Sequence, residues 1–479
     1  MRPEMEWHMA DLENVRSQAT EYKIPAAVAT IIERLEAAGY EAYAVGGCVR
    51  DMLLSREPND WDITTSAKPE QVKAIFRRTV DTGIEHGTVT VVMDHENYEV
   101  TTYRVDGVYL DGRHPSGVTF TASLSEDLKR RDFTINAMAY HPVKGLIDLY
   151  NGREDLKQGV IRCVGAANER FSEDALRILR AFRFAAQLGF AIDDETLAAA
   201  KTLAENLKLI SKERIAAELV KLLTSDHPEE FLRMYDAGVA NYILPEFTAC
   251  METEQNTPFH SYNVGVHTMK VVCGVHADRV LRLAALLHDI AKPKTKTVDE
   301  KGQAHFYGHA TLSAKMAGEI LRDLKFDNET IRRVTHLIAH HDDWAYIINR
   351  NDADGASVTS KAVRKELNRF GSEDFLLLLE LMRADAKAKL EKPNSDTLNT
   401  LSALGEAERI YGDILAAGEC FSLKDLKITG SDLIAMGFKP GPRLGETLNT
   451  LLQEVVEEPA LNTREALLKR AASIGEADA

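Results

Sequence analysis

GGCVRDMLL at residues 46–54, followed by NDWDITT at residues 59–65, decides how the fold is read. Only glycine lets backbone N–H groups close on a phosphate at a helix N-terminus. Gly46-Gly47, running into Met52-Leu53-Leu54, is therefore a candidate phosphate cradle, although a bare Gly-Gly turn is also common structural punctuation. Its weight depends on Asp60 and Asp62, because the two-residue period of a strand would put both carboxylates on one face. Such a pair repels itself unless a cation lies between the two groups. Hard oxygen ligands suit Mg²⁺, which can lower the pKa of an attacking hydroxyl and neutralise a pyrophosphate leaving group. The alternative is two solvated aspartates at a strand end. Glu99, amid the β-formers Tyr98 to Arg104, adds a third carboxylate that calls for either an exposed strand face or a metal.

Working outward, Val28, Ile31, Ile32 and Leu35 recur at helical spacing before a short buried strand at Tyr43 to Val45. Two β-rich runs, Thr88 to Val92 and Tyr98 to Tyr103, flank the turn residues Asp94 to Asn97. The first 150 or so residues therefore read as mixed α/β. From Ser172 to Ala472 helical patterns dominate, interrupted by Pro258, Pro293 and Pro393, with Asn349 to Gly355 and Glu391 to Asp396 as candidate boundaries. A chain of 479 residues, 44% apolar and 28% charged, has room for about three domains. Its net charge of −16 excludes a uniformly basic nucleic-acid coat protein, yet the span from Asp127 to Phe190 holds 11 Lys and Arg against 8 Asp and Glu. Neither a long apolar run nor a basic leader is present, which predicts a soluble, cytoplasmic protein without membrane contact. Five scattered cysteines form no CxxC pair, so reduced thiols are expected.

Residues Glu173 to Gln187 read as one helix. Asp174, Arg177, Arg180 and Arg183 would form a polar stripe along it, beside Leu176, Leu179 and Phe182. An i,i+3 surface ion pair is the plain reading. The chemical one is base selection: a carboxylate accepts from the exocyclic amine of cytosine or adenine, and a guanidinium donates to the neighbouring ring acceptor. Uracil and guanine present the reverse pattern, so an Asp-Arg pair can choose C and A without a template. Leaving buried polar groups unpaired with a wrong base discriminates by about 10⁴-fold.

Nine of the 15 histidines lie between His260 and His341, a density that core packing does not explain. The series His267, His288-Asp289, His309, His340-His341 and Asp385 resembles an HD-superfamily metal domain. Mixed imidazole and carboxylate ligands without thiolates suit Mg, Mn, Fe or Ni better than structural zinc. His267, His288, Asp289 and Asp385 are the candidate ligands, with His309, His340 and His341 as additional candidates. His260 reads as either a further ligand or a surface residue.

GGCVRDMLL and NDWDITT resemble the class II tRNA nucleotidyltransferase and bacterial poly(A) polymerase superfamily. So do Asp127 to Ala137, Asp148 to Gly152, Glu173 to Arg180, and Ser211 to Arg214 with Glu218, all in family order. The resemblance implies a polymerase-β-like α/β nucleotidyltransferase head followed by a helical neck, an HD domain and a helical tail. It implies that Asp60 and Asp62 bind catalytic Mg²⁺ with Glu99 as third carboxylate, that Gly47 and Arg50 hold the triphosphate, and that Arg131 and Asp132 contact ribose. The family's EDxxR motif matches Glu173 to Arg177, the start of the expected stripe. The segment Arg104 to Leu124 resembles a loop that CCA-adding members need for the switch to adenine. Leu426 to Leu433 and Gly437 to Gly445, with closely spaced glycines, resemble the family's C-terminal region. The expected division is an N-terminal extension (1–21), head (22–150), neck (151–254), HD domain (255–390) and tRNA-binding tail (391–479).

The expected reaction adds C, C and A to the tRNA 3′ end from CTP and ATP, with Mg²⁺, and no obligate protein partner is evident. An A-adding or poly(A)-polymerizing relative is the nearest alternative. A metal-dependent HD phosphohydrolase with a nucleotide-sensing head and a second divalent metal is the alternative from another class. A non-catalytic tRNA-binding protein would not explain three intact head carboxylates.

Overall fold

The computed structural model describes residues 22–106, 118–343, 348–349 and 357–477. The expected N-terminal extension, the centre of the Arg104 to Leu124 loop and most of the Asn349 to Gly355 boundary lie outside the described residues. The chain forms two compact units, one running to Ile243 and one beginning at Leu244.

In the first unit, helix α1 (Ala26–Ala37) buries Val28, Ile31, Ile32 and Leu35, the apolar stripe that its spacing predicts. Strand β1 (Ala42–Val45) is buried along its whole length, and α2 (Gly47–Leu53) follows at once. Strand β2 (Asp62–Thr65), helix α3 (Pro69–Ile75) and strands β3 (Thr79–Gly83), β4 (Thr88–Met93) and β5 (Glu96–Thr102) come next. Asp94 and His95 take positive φ of 53° and 67°, turning β4 into β5 as the hairpin reading requires. A two-strand pair (Arg104–Asp106 with Val118–Phe120, here β6 and β7) precedes helix α4 (Leu124–Lys129), and β8 (Met138–His141) and β9 (Gly145–Asp148) complete the sheet. The seven strands run β3-β4-β5-β2-β1-β8-β9, with β2 parallel to β5 and the other neighbours antiparallel.

Helices then take over: α5 (Gly152–Gln158), α6 (Ala167–Glu173), α7 (Leu176–Leu188), α8 (Asp194–Leu203), α9 (Lys212–Leu223) and α10 (Glu230–Asp236). The expected single helix from Glu173 to Gln187 is therefore two helices. Asp174 has extended dihedrals (φ −141°, ψ 104°), and its carboxylate accepts the Leu176 N–H at 3.0 Å. Aspartate competes well for backbone donors at a helix start, and that competition places the break.

The second unit is helical except for two-residue strand pairs. Its elements are α11 (Glu246–Met251), α12 (Val264–Gly274), α13 (Arg279–Leu287), α14 (Lys292–Thr295), α15 (His309–Asp323) and α16 (Asn328–His340). After these come α17 (Ser360–Ala388), α18 (Ser395–Ala417), α19 (Gly430–Ala435), α20 (Pro442–Glu457) and α21 (Arg464–Ala477). Pro293, expected as a helix interruption, sits in the first turn of α14, where its missing N–H costs nothing. Gly371 (φ 73°, ψ 169°) divides α17 into two helical halves. Buried Arg364 in the first half donates to the Val456 carbonyl (2.9 Å) and to Glu419 (2.8 Å), while the second half carries Asp385. The expected 390/391 boundary thus falls inside one compact unit. No helix among the described residues is long and apolar enough to cross a membrane.

Candidate active site and metal cluster

Gly46 closes β1 onto α2 with a positive φ of 82°, a conformation that favours glycine, and its Cα faces Arg131, whose Nη1 would lie 3.0 Å from a Cβ there. Arg50, one turn into α2, donates to Asn136 Oδ1 at 2.8 Å and pairs with Asp51. Asp62 begins β2 and stands in register with Glu99 on β5. Asp60 precedes the strand and is exposed, so the expected same-strand pair becomes one strand carboxylate with another just upstream. Burial and then the Glu99 charge push the Asp62 carboxyl up to about 6, with Arg131 opposing and Asp60 adding to the rise. Asp62 and Glu99, paired in register, with Asp60 just upstream, offer hard carboxylate oxygens of the kind that fit a divalent ion.

The expected ribose pair, Arg131 and Asp132, face different neighbours. Arg131 lies against the Gly46 turn, within 3.4 Å of Asp127. Asp132 accepts from the Phe133 N–H (2.8 Å), Asn136 Nδ2 (3.3 Å) and Arg180 Nε (2.7 Å). Burial alone would raise its pKa, but Arg180 and Arg177 hold it well below the ordinary carboxylate range.

The expected polar stripe separates into three anchored guanidiniums. Arg177 is buried, bonds Glu173 at 2.6 Å and reaches the Arg130 carbonyl at 2.9 Å. Arg180 pairs with Asp132 at 2.6 Å, and Arg183 with Glu218 at 2.5 Å. Asp174 pairs with Arg214 on α9 at 2.7 Å, so the anticipated Asp174–Arg177 pair on one helix is replaced by Asp174–Arg214 and Glu173–Arg177. Sequence reasoning assigned no role to Asn136, Glu173, Phe184, Arg214 or Glu218. For Phe184 the signal was its place four residues after Arg180, on the same helical face.

In the second unit, α12 supplies His267, the end of α13 His288-Asp289, α15 His309, the end of α16 His341, and α17 Asp385. His267 Nε2 lies 3.0 Å from Asp385 and 3.5 Å from Asp289, and His288 Nε2 lies 3.2 Å from Asp289. On the other side of Asp289, His309 Nε2 lies at 3.4 Å and His341 Nε2 at 3.8 Å. His267, His288 and Asp289 are close enough to form one candidate ligand triad, and Asp289, His309 and His341 a second. The Nδ1 atoms of His267, His288, His309 and His341 face backbone carbonyls of Ala388, Ala285, Phe306 and Ile338 at 2.7–3.3 Å. Donation there would leave each Nε2 lone pair free for a metal ion. Burial and His288 push His341 down to about 3, keeping it neutral as a metal ligand must be. The Nε2 atoms of His267 and His288 and both Asp289 oxygens are buried without a well-formed hydrogen bond, a donor set that fits a cation.

His340 is a correction: it turns away toward Asp343 (2.6 Å) and Arg369, because successive helical residues point about 100° apart and His341 takes the inward direction. His260 is half-buried beside His267, ring centroids 5.7 Å apart, with its Nδ1 on Thr257 at 3.0 Å. Lys292 lies 2.7 Å from Asp289 and Lys389 2.9 Å from Asp385, beside a cavity of about 310 Å³ that also touches His309, His341 and Tyr307.

Residues 42–162 match the poly A polymerase head domain family, residues 189–251 an RNA and SrmB binding site of polymerase A, and residues 297–471 a tRNA nucleotidyltransferase domain 2. The chain is 37% identical over 447 residues to a CCA-adding enzyme of Latilactobacillus sakei, covering 92% of this chain and 96% of that one. It is 36% identical over 438 residues to a CCA-adding enzyme of Streptococcus pneumoniae, covering 91% and 94% respectively. The crystal structure of the Bacillus stearothermophilus CCA-adding enzyme in complex with CTP superposes with a TM-score of 0.63 at 29% identity, covering 95% of this chain and 99% of that one.

Proposed function

The chain belongs to the CCA-adding enzyme family of tRNA nucleotidyltransferases, and from that premise we propose that it adds C, C and A to the 3′ end of tRNA, using CTP and ATP and releasing pyrophosphate. The observation that carries this reading is the register pairing of Asp62 with Glu99 beside the Gly46 turn. In the reaction the tRNA 3′-oxygen bonds to the α-phosphorus, the bond from that phosphorus to the β-phosphate bridge breaks, and the hydroxyl proton is released. Asp60, Asp62 and Glu99 would hold Mg²⁺, which when bound supplies charge neutralisation at the triphosphate and a more acidic hydroxyl. Gly47 and Arg50 bind the triphosphate, and Arg131 and Asp132 orient the ribose. Asp174 and Arg177, each held by a partner from outside a simple helical pair, present acceptor and donor to C or A. Restraint of these groups before the nucleotide arrives lowers the ordering cost of binding.

The test is incubation with tRNAs ending at the discriminator base, at C, and at CC, each with one labelled nucleotide. Label from CTP should enter the first two and label from ATP the third. Incorporation of ATP alone, on tRNA already ending in CC, would reassign the protein as an A-adding relative.

A second activity is favoured by the shared-carboxylate cluster of the second unit. With a divalent metal held by His267, His288, Asp289, His309, His341 and Asp385, the site would supply an activated water for hydrolysis of a phosphoester such as a 2′,3′-cyclic phosphate at an RNA end. Lys292 and Lys389 would bind the phosphate. A damaged tRNA end must regain a free hydroxyl before nucleotides can be added, which makes the two activities complementary.

A further inference from the structure

Phe184 on α7 is 5% exposed, and three guanidiniums approach its ring: Arg183 at 3.8 Å from the centroid, Arg50 at 5.1 Å and Arg180 at 5.4 Å. Three like charges repel one another; each is paired with its own carboxylate (Asp51, Asp132 and Glu218), and the electron-rich ring face adds one attraction that all three share. Two of these guanidiniums also lie on one polar chain. Arg50 donates to Asn136 (2.8 Å), Asn136 donates to Asp132 (3.3 Å), and Asp132 accepts from Arg180 (2.7 Å). Phe184 closes that chain into a ring running from Arg50 through Asn136, Asp132 and Arg180 back to Arg50. Arg183 is tied separately to Glu218 and Gln187.

We propose that Phe184 is a positioning residue for nucleotide binding, because its ring fixes the triphosphate-side Arg50 and, through Arg180, the ribose-side Asp132 relative to one another. The inference rests on the nucleotide-site assignment proposed above. A residue acting this way serves both nucleotides equally, since triphosphate and ribose are common to CTP and ATP. It acts on the ground-state pocket, so its removal is read in KM more than in kcat. A purely packing role, through the edge-to-face contact with Phe133 (5.7 Å, 82°), would depend on ring shape and not on ring charge.

The experiment separates shape from charge in the full-length protein. Phenylalanine 184 is replaced by its 4-fluoro, 3,5-difluoro and 3,4,5-trifluoro analogues, which keep nearly the same shape while withdrawing electron density from the face. Expected is a stepwise rise in KM for CTP and ATP together, reaching about tenfold, with kcat within about twofold and an unchanged melting temperature. Phe184→Leu, which retains apolar bulk, should raise both KM values at least as much. A flat KM across the fluorinated series overturns the proposal whatever the leucine variant does. Arg50→Ala and Asp132→Ala are measured alongside. If they also leave KM unchanged, the nucleotide-site assignment has failed; if they raise it while the series stays flat, only the coupling through Phe184 has failed.

Discussion

At the residue scale, Asp62 carries the heaviest demand, since it faces Glu99 across paired strands and follows Asp60 by two positions. Asp62→Asn keeps the shape and removes a charge that both nucleotide additions share. Incorporation of C and A should fall together by about 10³-fold or more, with tRNA binding nearly unchanged by filter retention. Asp132 offers a different test. Its folded carboxyl ionises well below the unfolded value of about 3.9, so its contribution to stability is fully present above that value and is lost as pH falls through the folded one. Asp132→Asn should cost about 1.5 to 3 kcal/mol at pH 7, because the partly exposed Arg180 loses its charged partner and the amide left at the buried position accepts more weakly. In urea unfolding, that difference from wild type should shrink steadily below about pH 4.

Among elements, the α6–α7 junction holds Asp174 and Arg177, the pair proposed to select the base. Arg214→Ala releases Asp174 from α9 without altering Asp174 itself. C and A addition should decline together by about 10-fold or more, while the relative use of UTP or GTP rises. Unchanged nucleotide ratios at lower activity would make the junction structural. The break at this junction is also where sequence and structure part. An i,i+3 spacing reads the same whether the helix is continuous or restarts, and a capping carboxylate announces itself only when its backbone partner is known. The same limit applies to Asp60, which the alternating pattern placed in a strand that begins two residues later. Periodicity did locate α1, the β4–β5 hairpin and the glycine turn, since those depend on local steric rules and apolar spacing. It could not choose between His340 and His341, because the choice rests on the angle at which α16 meets the cluster.

For the whole molecule, the head carboxylates and the histidine cluster lie in separate compact units. Asp289→Ala should therefore abolish divalent-metal content by elemental analysis and eliminate phosphodiesterase activity, leaving CCA addition within about twofold of wild type. Loss of all three would show that the second unit supports the first. The cluster has one further property. Lys292 places its ammonium 2.7 Å from the carboxylate common to both triads, so a positive charge already rests there. Metal entry would be a trade of one cation for another rather than simple filling. The observed binding isotherm would then report metal affinity less the work of displacing a lysine, and the occupant would be tunable from outside the ligand set by changing the residue at 292.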